Sequence, residues 1–506
     1  MYVIDVNTSF GKRVDTDRRY SLSALSDELD RHDVACALCY SQQGVEYDPR
    51  AGNAETIAAA KANPRILPVG TLDPRDTPGW ERELDRCRAA GVRVLRFFPG
   101  LQSWSVDSCR FRSVLKVLQG SRMCLVFDTK HCPSGWELSG MIARLTGELD
   151  LPVILTDTSY GNMSETMAVM QEYQHVYAEI NWLATVDAVG IMADAVGADR
   201  LLHGSSAPWR PMQKALNQVL ETGLSEGDKA AILGGNAVRL LDVSPEQLAA
   251  RPQLTDLQPK RFQEPSIDIH SHLGYWYIPC RDEDYDPGAM LQRMRRYGIE
   301  RSIVSAYESM RYDIAAGNRA LVNAIQGHPE LLGYVELTPH DLALSCAEMD
   351  RYYALPNMVG CELELSHIPC PTGSNKVRAL MAEIARRRRP ILLMPASSAD
   401  VLAERDLARE NPRLAIIHAH GADAEWGRAV KDTPNLYVEF CSSHPNHHAL
   451  RDCLDILGPE RVLFGTDQTL LSVGGQVGLF LDALMTSQER HLVLYENARR
   501  LFGLKE

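Results

Sequence analysis

Two histidines, His270 and His272, stand one residue apart at the end of an apolar run in the second half of the chain. Side chains two apart on a β-strand share a face, so both imidazoles can point at one ion. Neutral imidazole is a common ligand of zinc and iron in proteins. The spacing therefore predicts a metal site in this half of the chain, provided that further donors reach the same place.

Further candidate donors stand at the ends of later apolar runs. Glu362 and Glu364 share a face of one predicted strand, His420 follows the next run but one in the stretch HAHG, and Asp467 ends the stretch FGTD. These nitrogen and oxygen donors suit zinc, with manganese or iron as alternatives. A divalent ion held here would lower the pKa of water toward neutrality, and Asp467 would accept the proton that is released.

The elements that must position these residues alternate between short apolar runs and longer amphipathic stretches. Alternation of strands with helices over about 240 residues predicts a (β/α)8 barrel, in which chemistry gathers at the carboxyl ends of the strands. An open doubly wound sheet is the alternative, but no glycine-rich nucleotide loop follows the first strand of either half. The strands predicted in the second half are residues 267–270, 302–306, 333–337, 358–365, 391–394, 414–418, 436–440 and 462–464.

The same series of elements is written twice. The stretch VIDVNTSFG near the start answers SIDIHSHLG in the second half, and three later blocks repeat in the same order at nearly constant spacing. This repetition predicts two tandem (β/α)8 barrels, at residues 1–243 and 266–506, joined by a polar, proline-rich linker at residues 244–265. We expect the two barrels to pack on each other with approximate twofold symmetry, as a dimer joined in one chain.

The first copy lacks the donors of the second. Asn7 and Ser9 replace the two histidines, Asp157 stands opposite His420, and Ser206 stands opposite Asp467. We therefore predict a degenerate barrel without metal ligands. Its remaining charged residues either support metal-free chemistry or persist as a hydrogen-bonded remnant. These residues are Arg96, Asp128, Lys130, Asp157 and His203, with His131 nearby.

The second half resembles the amidohydrolase superfamily, in the amidohydrolase-related branch of metal-dependent hydrolases and decarboxylases. The matching pieces are DIHSHLG, HAHG, FGTD and the closing YENARRLFGL. The resemblance implies a (β/α)8 barrel with one divalent metal, usually zinc. It also implies that His270, His272 and Asp467 take the places of metal ligands and that His420 takes the place of the catalytic histidine.

One position departs from that family pattern. The family usually has a metal-binding histidine at the end of strand five, and here the stretch PILLMPAS puts Met394 there. A thioether is a poor ligand beside hard oxygen donors. We expect Glu364 to complete the metal site, because some members of the superfamily use a glutamate or lysine from strand four. Cys441 and His444 are weaker candidates.

Three functions are compatible with these residues. The first is a metal-dependent hydrolase that cleaves an amide, lactone or related bond in a small molecule. The second is a non-oxidative decarboxylase of an aromatic or unsaturated acid at the same site. The third is a non-catalytic scaffold or binding protein, which Met394 favours. Arg311 alone is placed to hold a substrate carboxylate, so hydrolysis is preferred over decarboxylation.

Composition excludes several partners. The chain has 506 residues and a net charge of −13, which argues against a nucleic-acid surface. No apolar stretch approaches the 18 or so residues of a membrane span, so no membrane partner is expected. The 12 cysteines form no regular framework, which predicts reduced thiols and a cytoplasmic location.

Overall fold

The computed structural model describes residues 1–76, 79–129, 135–149, 151–248, 251–277, 281, 285–397, 399–443 and 445–505. Three of the weaker candidates from the sequence, Lys130, His131 and His444, lie outside the described residues. The chain divides into two units, Met1–Pro259 and Lys260–Glu506. This division falls within the predicted linker, residues 244–265, so that stretch contributes to both units.

The second unit is an eight-stranded parallel sheet in which each strand pairs with the next along the chain, as predicted. Its strands are β10 (Ser266–Leu273), β11 (Ile299–Ala306), β12 (Leu331–Glu336), β13 (Met358–Glu364), β14 (Ile391–Met394), β15 (Ile416–His418), β16 (Leu436–Phe440) and β17 (Val462–Phe464). Helices follow the strands in alternation. They are α13 (Pro287–Tyr297), α14 (Tyr307–Arg311), α15 (Ile314–Ile325), α16 (Leu342–Tyr352), α17 (Asn375–Arg387), α18 (Val401–Glu410), α19 (Ala424–Val430), α20 (Ala449–Leu457), α21 (Val473–Asp482), α22 (Ser487–His491) and α23 (Asn497–Leu501).

The first unit repeats this pattern in a sheet of nine strands. The strands are β1 (Val3–Lys12), β2 (Arg19–Tyr20), β3 (Val34–Ser41), β4 (Ile66–Thr71), β5 (Val94–Phe97), β6 (Cys124–Asp128), β7 (Val153–Thr156), β8 (Val176–Glu179) and β9 (Leu201–Leu202). Eight of them are parallel, and β2 is a short antiparallel addition to the end of β1 that the sequence did not predict. The helices are α1 (Leu22–Arg31), α2 (Gln42–Glu46), α3 (Pro49–Ala62), α4 (Gly79–Ala89), α5 (Cys109–Leu118), α6 (Gly135–Gly147), α7 (Met163–Glu172), α8 (Ala188–Val196), α9 (Met212–Leu220), α10 (Glu226–Ala230), α11 (Asn236–Leu241) and α12 (Pro245–Leu248).

Each sheet curls until its first strand meets the segment after its last strand. In the second unit the Asp467 N–H donates to the His270 carbonyl at 2.7 Å, and Ser271 bridges to Gln468. In the first unit the Ser206 N–H donates to the Asn7 carbonyl, also at 2.7 Å. Both units are therefore barrel-like, and their strand ends converge on one mouth each.

Alternation along each strand sorts the apolar residues into two layers. In the second unit Val304, Leu363 and Phe464 face the surrounding helices, whereas Ile269 and Leu392 belong to a separate cluster inside the sheet. Because successive side chains point to opposite faces, polar residues at inward positions near the strand ends collect at the mouth. None of the helices within the described ranges has the length and apolarity that a membrane span requires.

One buried carboxylate fastens the closure of the second barrel. Asp268 accepts hydrogen bonds from the backbone N–H of Thr466 at 3.0 Å and of His270 at 3.1 Å, and from the Ser271 hydroxyl at 2.7 Å. Burial raises the pKa of Asp268 to about 6, although these donors oppose the shift. Asp5 takes the same place in the first barrel, where it accepts from the Ser205 N–H at 3.1 Å.

Replacing Asp268 with alanine removes these bonds and leaves several buried donors unpaired. We expect the second barrel to lose about 3 kcal/mol of stability, because a hydrogen bond to a charged group contributes more to stability than one between neutral groups. Hydrogen exchange should accelerate in Ser266–Leu273 and in residues 462–469. Asp5→Ala is the matched control and should accelerate exchange in Val3–Lys12 instead. Unchanged exchange around Asp268 in the first variant would contradict this role.

Candidate metal centre

Three of the residues predicted as metal ligands meet at the mouth of the second barrel. His270 and His272 come from the end of β10, and Asp467 follows β17; all three are buried. His272 Nε2 lies 3.1 Å from Asp467 Oδ1. One donor atom from each residue lies within 4.8 Å of the others. The closure of the barrel thus brings donors from its first strand, β10, and from the segment after its last strand, β17, into one group.

Neighbouring side chains orient both imidazoles. His270 Nδ1 lies 2.8 Å from Glu439 Oε2, and His272 Nδ1 lies 2.7 Å from the Ser305 hydroxyl. The other nitrogen of His270, Nε2, is buried and makes no hydrogen bond to a described residue. A carboxylate behind one nitrogen and a free second nitrogen is the usual arrangement of a metal-binding histidine.

Glu439 was missed by the sequence analysis. It lies on β16 between apolar residues, in the stretch LYVEF, and is fully buried. Burial raises the pKa of Glu439 to about 7. A Cβ on Gly465 would lie 2.2 Å from Glu439 Oε1, so the glycine of the FGTD stretch makes room for this carboxylate. A lone glutamate at an inward position of an apolar strand was the signal that could have revealed it.

His420 lies beside this group at the solvent edge. It follows β15 with φ of 69°, a left-handed conformation that few non-glycine residues adopt. Its ring lies 4.9 Å from that of His270, and its N–H donates to Glu439 Oε2 at 3.2 Å. His418 faces the helices instead, where its Nδ1 pairs with Glu404 at 2.8 Å. The structure therefore brings His420, and not His418, to the mouth.

Glutamates from two neighbouring strands add further buried carboxyl groups to this mouth. Glu336, Glu362 and Glu364 are all buried. Burial, followed by the proximity of the other carboxyls, raises the pKa values of Glu336 and Glu362 well above their usual range. Burial also raises the pKa of Glu364 to about 7. Glu364 Oε1 accepts the Ser366 N–H at 2.7 Å, so this oxygen is already engaged.

The residues present fit a divalent cation. Oxygens of Glu336, Glu362 and Glu439 are buried without a hydrogen bond of good geometry to a described residue. Arg461 is the one buried lysine or arginine in the described part of the second unit, and it donates to the Thr433 carbonyl at 2.7 Å rather than to a carboxylate. Buried carboxylates need a compensating charge, and among the described residues no buried lysine or arginine supplies it here.

The histidines are in the protonation state that a metal requires. Desolvation lowers the pKa of His270 to about 4 and that of His272 to about 3. Both imidazoles are therefore neutral near pH 7, with a lone pair available for an ion.

A second group of donors overlaps the first. His270, His420 and Cys441 also offer one atom each within 4.8 Å of the others. Neither of the two donor groups among the described residues includes Glu364, the residue expected to complete the site. Met394 is 3% exposed and lies with Leu392 and Ile417 in the apolar cluster inside the sheet.

Aromatic side chains line one side of the mouth. The Tyr307 ring lies 4.7 Å from that of His272, and the Trp276 ring lies 4.6 Å from that of Tyr307. The Arg311 guanidinium stands 5.1 Å above Trp276. On another side, a cavity of about 220 Å³ adjoins His420. The mouth thus offers apolar walls and one cation to a small molecule.

The first barrel fills the same positions with neutral groups. Asn7 Nδ2 donates to Ser206 Oγ at 3.0 Å and to Glu179 Oε2 at 3.2 Å. Ser9 Oγ accepts from Gln42 Nε2 at 2.9 Å. Glu179 on β8 contacts Asn7 as Glu439 on β16 contacts His270. A glutamate is therefore present on the seventh parallel strand of both barrels. The side chains around it are already hydrogen-bonded to each other.

A fixed cation occupies the centre of this first mouth. Arg96 on β5 pairs with Thr71, the last residue of β4. In the second barrel Glu362 on β13 pairs in the same way with Glu336, the last residue of β12. Arg96 therefore occupies the position in the first barrel that Glu362 occupies in the second. Its guanidinium donates to Asn7 Oδ1 at 2.6 Å and lies 4.9 Å from the Tyr40 ring. Burial opposes the charge, but Tyr40, Asp128 and Asp157 raise the pKa of Arg96.

The described part of the first mouth carries its own positive charge, that of Arg96. The absence of metal ligands from this barrel stays a prediction from the sequence. His203 contributes no imidazolium here, since desolvation lowers its pKa to about 3. Burial raises the pKa of Glu179 to about 8, so this carboxyl is largely protonated at neutral pH.

The chain belongs to the amidohydrolase family, whose model matches residues 49–243 and 267–504. The match covers nearly all of the second barrel and the first barrel from α3 onward, and it supports an enzyme of the hydrolase or decarboxylase type. No curated protein matches the sequence. The family supports a metal-dependent hydrolase or decarboxylase without specifying a substrate.

Solved structures resemble one half of the chain at a time. One is a dihydroxybenzoic acid decarboxylase from Polaromonas sp. JS666 with bound manganese and the inhibitor 2-nitroresorcinol, at 17% identity and a TM-score of 0.41, covering 48% of this chain and 98% of that one. Another is a 2,6-dihydroxybenzoate decarboxylase from Rhizobium, at 16% identity and a TM-score of 0.42, covering 48% and 99%. A third is a proposed 2-pyrone-4,6-dicarboxylic acid hydrolase from Pseudomonas putida, at 23% identity and a TM-score of 0.39, covering 48% and 98%.

Replacing Arg96 with methionine removes the fixed cation and leaves Asn7, Asp128 and Asp157 without it. We expect the first barrel to lose about 3–5 kcal/mol of stability, the usual cost of removing one partner from a buried charged group. Hydrogen exchange in Val94–Phe97 and Val153–Thr156 should report this loss, and the metal content of the chain should not change. Arg93→Met is the control, because Arg93 is exposed and immediately precedes the first residue of β5. Equal exchange in both variants would contradict the role of Arg96.

Proposed function

We propose that the second barrel is a metal-dependent hydrolase that cleaves an amide, lactone or related bond in a small molecule. The observation that carries this proposal is the convergence of His270, His272 and Asp467 on one point, beside buried carboxyls that have no buried lysine or arginine with them in the described part of the unit. The family membership supports it, since hydrolases and decarboxylases make up this branch.

In this proposal His270, His272 and Asp467 hold a divalent metal, most simply zinc, with manganese or iron as alternatives. When bound, the metal supplies a Lewis acid that lowers the pKa of water and polarises a substrate oxygen. Glu439 and Ser305 fix the two imidazoles in the required orientation. Glu364 is the fourth donor expected from the sequence; its carboxyl is buried, but it belongs to neither donor group.

Asp467 and His420 are the proposed catalytic residues. The Asp467 carboxylate faces the donor group, and burial raises its pKa, so it can accept a proton from water and release it again. His420 stands at the solvent edge with its ring toward His270, where it can hydrogen-bond to a substrate oxygen. Its left-handed backbone is held by the bond from its N–H to Glu439, which keeps the ring at the mouth.

The first barrel is, in this proposal, a non-catalytic copy that arose by duplication. Arg96 and its partners stabilise its mouth in place of a metal. Packing of the two barrels as a joined dimer and a cytoplasmic location remain predictions from the sequence.

The metal content of variants tests the proposed site. Purified full-length chain grown with metal supplementation should hold about one equivalent of zinc, manganese or iron, measured by plasma mass spectrometry. His270→Ala should lose most of it, because it removes a residue shared by both donor groups. His340→Ala, an exposed histidine of the same unit, is the control and should retain the metal. Wild-type chain without bound metal after supplementation would contradict the proposal.

A second candidate function, non-oxidative decarboxylation of an aromatic acid, is favoured by one observation. Tyr307 and Trp276 form a continuous aromatic wall from His272 to Arg311, with ring distances of 4.7 and 4.6 Å. An aromatic ring could stack on this wall with its carboxylate toward the guanidinium. Arg311 is the one cation that the sequence placed to hold a substrate carboxylate, and the aromatic wall beside it would bind the ring of such a substrate.

Binding of an aromatic acid separates the two candidates. We expect Arg311→Ala to weaken the binding of benzoate-type probes, such as hydroxybenzoates, by about tenfold, since a charge-assisted hydrogen bond of this strength is lost. Calorimetric titration of the metal-loaded chain measures it. Arg319→Ala, an exposed arginine on α15, is the control. Equal affinity in both variants would remove the support for decarboxylation and leave hydrolysis.

A further inference from the structure

His418 is a buried histidine of the second barrel that belongs to neither donor group. It is the last residue of β15 and lies two residues before His420. Its Nδ1 lies 2.8 Å from Glu404 Oε2 on α18, and its Nε2 lies 3.2 Å from the carbonyl oxygen of Gly421. Both ring nitrogens therefore meet an acceptor. A neutral imidazole carries one N–H and an imidazolium carries two, so the charged form satisfies both contacts.

Glu404 favours that charged form. Its side chain is fully buried, and His418 is its one hydrogen-bonding or ionic partner among the described residues. A buried carboxylate needs an opposite charge, which the imidazolium supplies. Burial by itself would lower the pKa of His418, but the charge of Glu404, the hydrogen bonds to Glu404 and Gly421 and the charge of Glu439 outweigh it, so the pKa is raised.

The segment that His418 holds is the turn that carries His420. His420 and Gly421 are both left-handed, with φ of 69° and 73°. The His420 N–H donates to Glu439 Oε2 at 3.2 Å, and the Gly421 N–H donates to the Glu439 carbonyl at 2.8 Å. A Cβ on Gly421 would lie 3.0 Å from Phe440 Cδ1, so the turn packs closely against β16. The turn is thus held by β16 through its N–H groups and by His418 through its carbonyl.

The first barrel has an apolar residue at the position of His418. Leu155 lies two residues before Asp157, the counterpart of His420, and is buried in the apolar cluster of that barrel. The turn there contains one left-handed residue, Asp157 with φ of 65°, because Thr158 after it has a negative φ. The fold therefore does not require a cation at this position. The histidine occurs in the copy that has His420 and a second left-handed residue after it.

We propose that His418, held as an imidazolium by Glu404, is a positioning residue for His420. Its Nε2–H fixes the Gly421 carbonyl, and the turn in this way keeps the His420 ring beside that of His270, with 4.9 Å between the ring centroids. The inference rests on the proposed function, in which His420 contacts a substrate oxygen. A ring that is fixed in advance loses less conformational freedom when the substrate reacts.

Nitrogen NMR tests the charge of His418. Full-length chain labelled with ¹⁵N-histidine is measured at about pH 7, where a histidine of ordinary pKa is mostly neutral. We expect His418 to carry a proton on both ring nitrogens. Glu404→Gln should leave it with one protonated nitrogen, since the amide removes the charge that favours the imidazolium. A single protonated nitrogen in the wild-type chain, or two in Glu404→Gln, would overturn the proposal.

Chemical modification tests the position of His420. Diethyl pyrocarbonate acylates exposed neutral imidazoles, and mass spectrometry of the His420 peptide gives the rate. The double variant His418→Leu with Glu404→Leu leaves no buried charge unpaired and assigns the ¹⁵N signals of His418 by their loss. We expect His420 to react about fivefold faster in this variant, the effect of one lost hydrogen bond. The exposed His340 of the same unit should react at an unchanged rate.

Glu404→Gln is the matched control for this rate. A neutral His418 can still donate from Nε2 to the Gly421 carbonyl while Nδ1 accepts from the amide, so His420 should react as in the wild-type chain. Equal rates in the wild-type chain and the double variant would overturn the positioning role. A faster rate in Glu404→Gln would also overturn it, which keeps the test decisive if hydrogen exchange shows that the double variant folds poorly.

Metal content separates this inference from the proposed function. Neither His418 nor Glu404 belongs to a donor group, so both variants should hold as much metal as the wild-type chain. Wild-type chain without bound metal would contradict the proposed function and leave the ¹⁵N signals of His418 unchanged. Metal retained beside a His418 with one protonated nitrogen would overturn the present inference and leave the proposed function standing.

Discussion

The need to compensate buried carboxylates governs both barrel mouths. Carboxyl groups removed from water require a cation, a proton or several hydrogen bonds, since an isolated buried charge is very unfavourable. In the first barrel a guanidinium, that of Arg96, provides the cation permanently. In the described part of the second barrel the carboxyls of Glu336, Glu362, Glu439 and Asp467 converge with no lysine or arginine among them. The two mouths therefore differ in the source of positive charge: a guanidinium in the first, and in the second a site where we propose that a metal ion binds.

The parts that hold the strands together are shared by the two barrels. Asp5 and Asp268 each tie the first strand to the segment after the last strand, and Glu179 and Glu439 each hold the first-strand residue that faces the mouth. These carboxylates act on the scaffold rather than on a substrate. Because they persist in both barrels, the side chains beside them can be exchanged without loss of the closure on which the barrel depends.

The mouth of the second barrel combines three kinds of surface within a short distance. A buried donor group faces the centre, an aromatic wall leads from Tyr307 and Trp276 toward Arg311, and a cavity adjoins His420. In the proposed function, the donor group and its supporting residues would stabilise the transition state more than the substrate. Substrate selection falls to the wall and the cavity, so one centre is compatible with hydrolysis or with decarboxylation.

The sequence by itself determined the strands, the repetition and the pair His270 and His272, because strand periodicity and local spacing are written along the chain. It also exposed Met394 as an anomaly. Only the tertiary structure decided the rest. Glu439 and Cys441 are more than 160 residues from His270 in the sequence, and they meet it because the barrel closes. Arg96 was among the charged residues that the sequence indicated in the first barrel, but only the strand register places it opposite Thr71, at the position of Glu362. Contacts among strand ends depend on register and curvature, which no local pattern encodes.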